Sequence, residues 1–121
     1  MENDHQFEID FCHSILRRDQ ENLPVMEMLA GYLTKSGRID EGLALDRRIV
    51  ELDPGNSISH YNLACSLALK NMATESIDAL RTALEQGYSD FDWLMKDPDF
   101  DGLHENPAFS ALISEFRARN S

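Results

Sequence analysis

Asp97, Asp99, Asp101 and Gly102, in the stretch DPDFDGLHENPAF, carry the D-x-D-x-D-G spacing that opens a calcium-binding loop. Carboxylates on alternate residues can converge on one hard cation, but a full loop also needs a bidentate Glu at its twelfth position to close the oxygen shell. Counted from Asp97, that position is Ala108; the eighth, normally apolar, is His104, and Pro98 follows the first Asp. A backbone role accounts for more of these residues. Asp97 before Pro98, and Asn106 before Pro107, each read as a helix N-cap with proline in the first turn. Beyond the second cap, Phe109, Leu112, Ile113 and Phe116 form a helical stripe. These acids are expected to cap helices, not to hold a metal.

No other group of residues competes as chemistry. His5, His13, His60 and His104 share no metal-ligand spacing, and neither Cys12 nor Cys65 has a His three or four residues on. The chain has no glycine-rich phosphate loop, no G-x-S-x-G and no H-E-x-x-H. Cys65 with His60, or Cys12 with His13, would make a nucleophile pair only if the fold assembled one, and a cysteine on a helical face is more simply packing. The expectation is a non-enzyme with no catalytic residues, no metal and no cofactor.

Charge narrows the partners. The 121 residues hold 22 acids against 11 Lys and Arg, for a net charge of −11. Six acids and one Lys fall between Asp90 and Glu105, where Phe91, Trp93 and Phe100 also lie. Aromatics among acids do not suit nucleic acid, and anionic membranes repel such a chain, so neither is an expected partner. Two cysteines far apart suggest a reducing compartment, and MENDHQFEID lacks the basic and apolar regions of a signal peptide. No apolar run approaches the length of a membrane span. A cytoplasmic protein is expected.

Positioning elements follow from periodicity. Apolar residues recur at three and four, as in Met26, Leu29, Ala30 and Leu33, and again in Leu63, Ala64 and Leu67. That spacing puts a stripe along one face of a helix. Turn signals at SGRID, DPGNS, KNMAT, EQGYSD, DPDFDG and ENPAF separate the stripes. They predict an all-α chain, with helices near 5–19, 24–36, 39–52, 57–70, 73–86 and 107–118 and a short one near 90–96. The pattern also repeats. The step that carries Leu29 onto Leu63 also carries Ala30 and Leu33 onto Ala64 and Leu67, Glu41 onto Glu75, and Glu51 onto Glu85. Taken backwards, it carries Asp53 and Asn56 onto Asp19 and Asn22.

With this period the sequence resembles the tetratricopeptide repeats, whose helix–turn–helix unit spans about 34 residues. Leu29 and Ala30 match the family's Leu–Gly places, Leu33 its Tyr, Gly42 its Ala and Pro54 its final Pro; YNLACSLA, Ser76, Leu80 and Ala83 repeat the pattern. Met26 and His60 depart from the aromatic, Tyr88 from the last Pro, and Asp46 from a large apolar residue. A buried unpaired carboxylate would cost several kcal/mol, so Asp46 is expected at a rim, beside an Arg. The run GYSDFDWLMKDPDFDGLHENPAFSALI resembles the segment that closes some bacterial arrays of these repeats.

The resemblance implies a short α-solenoid, a right-handed superhelix, in one domain. Residues 1–22 would form a half-repeat with Phe7, Phe11, Ile15 and Leu16 inward, 23–56 and 57–88 two repeats, and 89–121 the cap. It also implies function. In the family the first helix of each repeat lines a concave groove that binds a peptide or helix. Here those positions are Glu27, Gly31, Thr34 and Lys35, then Ile58, Tyr61, Cys65, Ala68 and Leu69, with Tyr61 either the anchor or packed against the N-terminal helix or the C-terminal cap. Asn62 matches one Asn of the family's carboxylate clamp, but Glu27 stands in place of a Lys, which disfavours chaperone tails. An adaptor for another, basic, protein is the first expectation. A scaffold subunit that completes its solenoid by homo-oligomerisation is the second.

Overall fold

A computed structural model describes residues 5–120. Among these residues seven α-helices follow in order: α1 (Gln6–Leu16), α2 (Leu23–Lys35), α3 (Ile39–Leu52), α4 (Ser57–Leu69), α5 (Ala73–Glu85), α6 (Phe91–Lys96) and α7 (Pro107–Arg119). A 3₁₀ segment, Pro98–Leu103, lies between α6 and α7. The described residues contain no strand. The chain divides into two compact units, Met1–Pro54 and Gly55–Ser121, which part within the DPGNS turn.

Helix ends are fixed by local chemistry, and that chemistry repeats. Leu23 and Ser57 begin α2 and α4, and Ile39 and Ala73 begin α3 and α5. Each pair is related by the step that carries Leu29 onto Leu63. Asn22 caps α2 by accepting the Val25 N–H at 3.2 Å, and Asn56 caps α4 by accepting those of Ile58 and Ser59 at 3.0 and 3.4 Å. At the other ends, Gly37 (φ 83°) and Asn71 (φ 62°) take the left-handed conformation that stops α2 and α4. The next residues donate back across the last turn, Arg38 to the Leu33 carbonyl at 2.8 Å and Met72 to that of Leu67 at 3.0 Å. This is the glycine-type C-terminal cap, with Asn serving in the second copy.

In the first unit α2 packs against both α1 and α3. Ile9, Cys12, Leu29 and Leu33 form one buried cluster, and Met26, Ala30 and Ile49 another, with Leu16 and Leu45 against both. Gly42 sits where α3 crosses α2. A Cβ added there would lie 2.6 Å from Thr34 Oγ1 and 3.3 Å from the Ala30 carbonyl oxygen. In the second unit α4 packs against α5, and Ser76 Oγ–H donates to the Ala64 carbonyl at 2.7 Å. Gly42 and Ser76 are related by the same step as Ala30 and Ala64. Small residues permit the same close approach in both hairpins. Phe100, Phe109, Leu112 and Leu94 complete the core of the second unit.

Several expectations are corrected. The inward face of α1 is formed by Ile9 and Cys12, helped by Leu16, whereas Phe7 and Phe11 point outward, 79% and 55% exposed. Helix α1 carries two apolar stripes, and α2 covers only the Ile9–Cys12–Leu16 stripe. Asp46 is buried, not at a rim, and it is not left without a polar partner. The helical turn expected after Asp97 is a 3₁₀ segment, capped by Asp97 and begun by Pro98.

Candidate functional site

The nine residues expected along a groove separate into covered and open positions. On α2, Glu27, Gly31, Thr34 and Lys35 fall at spacings of three and four, hence on one face. Gly31 and Lys35 are exposed; Glu27 and Thr34 are half-buried, the latter beside Gly42. On α4, Ile58 at 52% and Leu69 at 37% are open to solvent, and Ala68 is half-buried. Between them Tyr61 and Cys65 are buried, 5% and 8% exposed, because the 3₁₀ segment packs on the middle of α4.

Tyr61 is therefore not an open anchor. Its ring stacks on Tyr88, centroids 4.2 Å apart, and meets the edge of Phe100 at 5.6 Å. Its hydroxyl donates to Asp97 Oδ2 at 2.6 Å. Burial, followed by this hydrogen bond, pushes the phenol well above its ordinary pKa, so Tyr61 stays a neutral donor. Asp97 is the centre of the arrangement. Oδ1 accepts the Asp99 backbone N–H at 3.0 Å, as an N-cap must, and Oδ2 also lies 3.7 Å from Cys65 Sγ. One carboxylate thus starts the 3₁₀ segment and fastens it to α4.

Cys65 Sγ and carboxylate oxygens of Asp97 and Asp99 lie within 4.8 Å of one another. Sulfur and oxygen donors at that separation could in principle take a divalent ion. Protein donors already serve the central acid: the Tyr61 hydroxyl, the Asp99 amide and the Cys65 thiol all point to Asp97. Asp101, the third acid of the D-x-D-x-D pattern, stands outside this group and is exposed. Asp99 is held above the usual carboxylate range by burial and then by the charge of Asp97, with the Cys65 hydrogen bond opposing. Neither Cys12 nor Cys65 forms a disulfide, and both are buried.

Acidic and aromatic side chains share the surface around α6. Asp90, which accepts the Trp93 N–H at 3.0 Å as the N-cap of α6, is exposed together with Asp92, Asp101 and Glu105. Trp93 is 47% exposed among them. Of the two places the sequence left open for Tyr61, the structure shows packing under the C-terminal segment; the Asp97 partner itself was not legible, since 36 residues separate the two. The signal that could have found it is Asp97 itself, an acid at the head of a segment built to cover apolar surface.

Among curated proteins, the chain is 26% identical over 113 residues to a protein of Arabidopsis thaliana whose name describes it as chloroplastic. That alignment takes in 90% of this chain but 34% of the plant protein, so the chain spans about a third of its relative's length. No protein-family model matches the chain. No solved structure matches it at a significant level. Among the described residues, no helix is long and apolar enough to cross a membrane.

Proposed function

We propose that this chain is a non-enzymatic binding module of the tetratricopeptide type, a short solenoid that holds a peptide or helix of another protein. The observation that carries this reading is the recurrence of one helical hairpin. Gly42 against Ala30 and Ser76 against Ala64, with matching Asn caps and left-handed stops, repeat at the family's interval. Stacked hairpins of this kind present long surfaces for polypeptides. Each unit offers its own binding face, on the first helix of its hairpin: Glu27, Gly31, Thr34 and Lys35 on α2, and Ile58, Ala68 and Leu69 on α4. Tyr61 and Cys65 lie beneath the 3₁₀ segment and support that face from inside.

The partner is basic. A net charge of −11 attracts a cationic segment and repels an acidic one, and the attraction is screened beyond about 8–10 Å at physiological salt. We place the protein in the cytoplasm because neither Cys12 nor Cys65 is held in a disulfide, which suits a reducing compartment; the relative's printed name makes a chloroplast the alternative.

Selection of a displayed peptide library on the immobilised protein tests this reading. The expected result is a family of peptides enriched in Lys and Arg around one or two large apolar residues. Their affinity should fall as salt rises, and Lys35→Glu should change it without altering the fold. Peptides without charge preference, or with affinities indifferent to both α2 and α4 substitutions, would contradict it.

A further inference from the structure

Helix α1 presents a second apolar surface that the first unit does not use. Ile9 and Cys12 face α2, while Phe7 and Phe11, one turn apart, point the other way. At 79% and 55% they are the two most exposed large hydrophobic side chains among the described residues. Aromatic rings bury roughly 150–250 Å² each, so these two leave on the order of 250 Å² of ring surface in water. Such a patch calls for an occupant.

We propose that the occupant is α1 of a second copy of this chain, packed antiparallel about a twofold axis. Charge makes this choice. The chain as a whole is strongly acidic, yet residues 5–18 hold two acids, Glu8 and Asp10, and two arginines, Arg17 and Arg18. Asp19 and Glu21 follow directly, but over α1 and its end the charges balance, so two copies meet less like-charge repulsion here than the chain's net charge of −11 would impose. The charges are also ordered, acids toward the start of α1 and arginines just past its end. Parallel pairing would set like charges side by side; antiparallel pairing sets Glu8 and Asp10 of each copy against Arg17 and Arg18 of the other.

The spacing of the rings fits the same axis. A twofold near His13 offsets the two Phe11 residues by four positions, about 6 Å along the helices at 1.5 Å per residue, so the rings meet. Phe7 then reaches Arg18 of the second copy, where a guanidinium can lie over its face. The small side chain of Ser14, between these positions, lets the backbones come close. An interface built on one short helix from each copy falls at or below the lower end of about 1,200 Å² for stable complexes, so the dimer is weak and reversible.

Sedimentation equilibrium of the whole chain over a wide concentration range tests this, independently of peptide binding by α2 and α4. The average mass should rise toward two chains as concentration increases. Phe7→Ser with Phe11→Ser should weaken the self-association at least tenfold while leaving the helical circular dichroism unchanged, since neither ring packs in the core. Glu8→Lys with Asp10→Lys, and Arg17→Glu with Arg18→Glu, should each abolish it, and an equimolar mixture of those two variants should restore a dimer. A mass of one chain at every concentration would overturn the proposal and leave the face to a different protein. A dimer indifferent to the phenylalanine changes, or a mixture that stays monomeric, would overturn it as well.

Discussion

The Tyr61 hydroxyl and Asp97 Oδ2 are 2.6 Å apart, although 36 residues separate them. Through this contact the chain after α6 is fastened onto α4. The same carboxylate caps the 3₁₀ segment, so one acid performs a local and a long-range task. Tyr61→Phe keeps the ring stacked on Tyr88 but removes a donor from a buried acceptor, which costs about 1–3 kcal/mol. Tyr61→Ala also opens a cavity and should cost about 3–5 kcal/mol. Urea unfolding of the two variants should give this order. Equal stability of wild type and Tyr61→Phe would show that Asp97 finds another donor.

Asp99 sets a dependence on pH. The folded chain holds its proton to higher pH than the unfolded chain does, by burial and by the charge of Asp97. The stability it contributes is therefore complete below the ordinary carboxylate range and is lost as pH rises through the shifted value. Asp99→Asn should raise the melting temperature at neutral pH, and the gain should vanish in acid. A gain of the same size at both pH values would assign the effect to something other than this titration.

The two hairpins should respond alike at their point of closest approach. Ser76→Ala removes a buried hydrogen bond to the Ala64 carbonyl and should cost about 1 kcal/mol. Leu at either Gly42 or Ser76 forces α2 from α3 or α4 from α5 and should cost at least about 1–3 kcal/mol. Thermal unfolding of these single variants checks this. A harmless Gly42→Leu would mean that α2 and α3 do not meet as closely as the Ala30 carbonyl indicates.

Millimolar calcium should leave stability unchanged, because both oxygens of Asp97 are committed to protein donors and the loop's twelfth residue is Ala108. Calcium at a hundred times its dissociation constant would add about 2.7 kcal/mol, a shift easily seen on melting. An upward shift with calcium but not magnesium would reopen the D-x-D-x-D-G pattern as a site.

What could be read in the sequence divides along physical lines. Helix type and position were legible because local signals agree: the Ile39–Leu52 helix has the expected bounds, and the caps at Asp97 and Asn106 sit where each acid or amide precedes proline. The sequence recurrence reappears in helix starts and in the Gly42 and Ser76 contacts. Less legible was which of two stripes faces inward. Helix α1 offers Phe7–Phe11 and Ile9–Cys12, and size favoured the phenylalanines, but tertiary packing chose the smaller pair. Tyr61 stayed undecided for a related reason. Position along α4 marks a face, and only the fold shows that the chain's own 3₁₀ segment lies over it.

The central claim is that the exposed faces of α2 and α4 bind a polypeptide. Amide chemical-shift mapping of the labelled chain, titrated with a selected basic peptide, tests it most directly. The largest shifts should cluster at Glu27, Gly31, Thr34, Lys35, Ile58, Ala68 and Leu69, with little change along α1. Shifts confined to the acidic surface from Asp90 to Glu105 around Trp93 would contradict it.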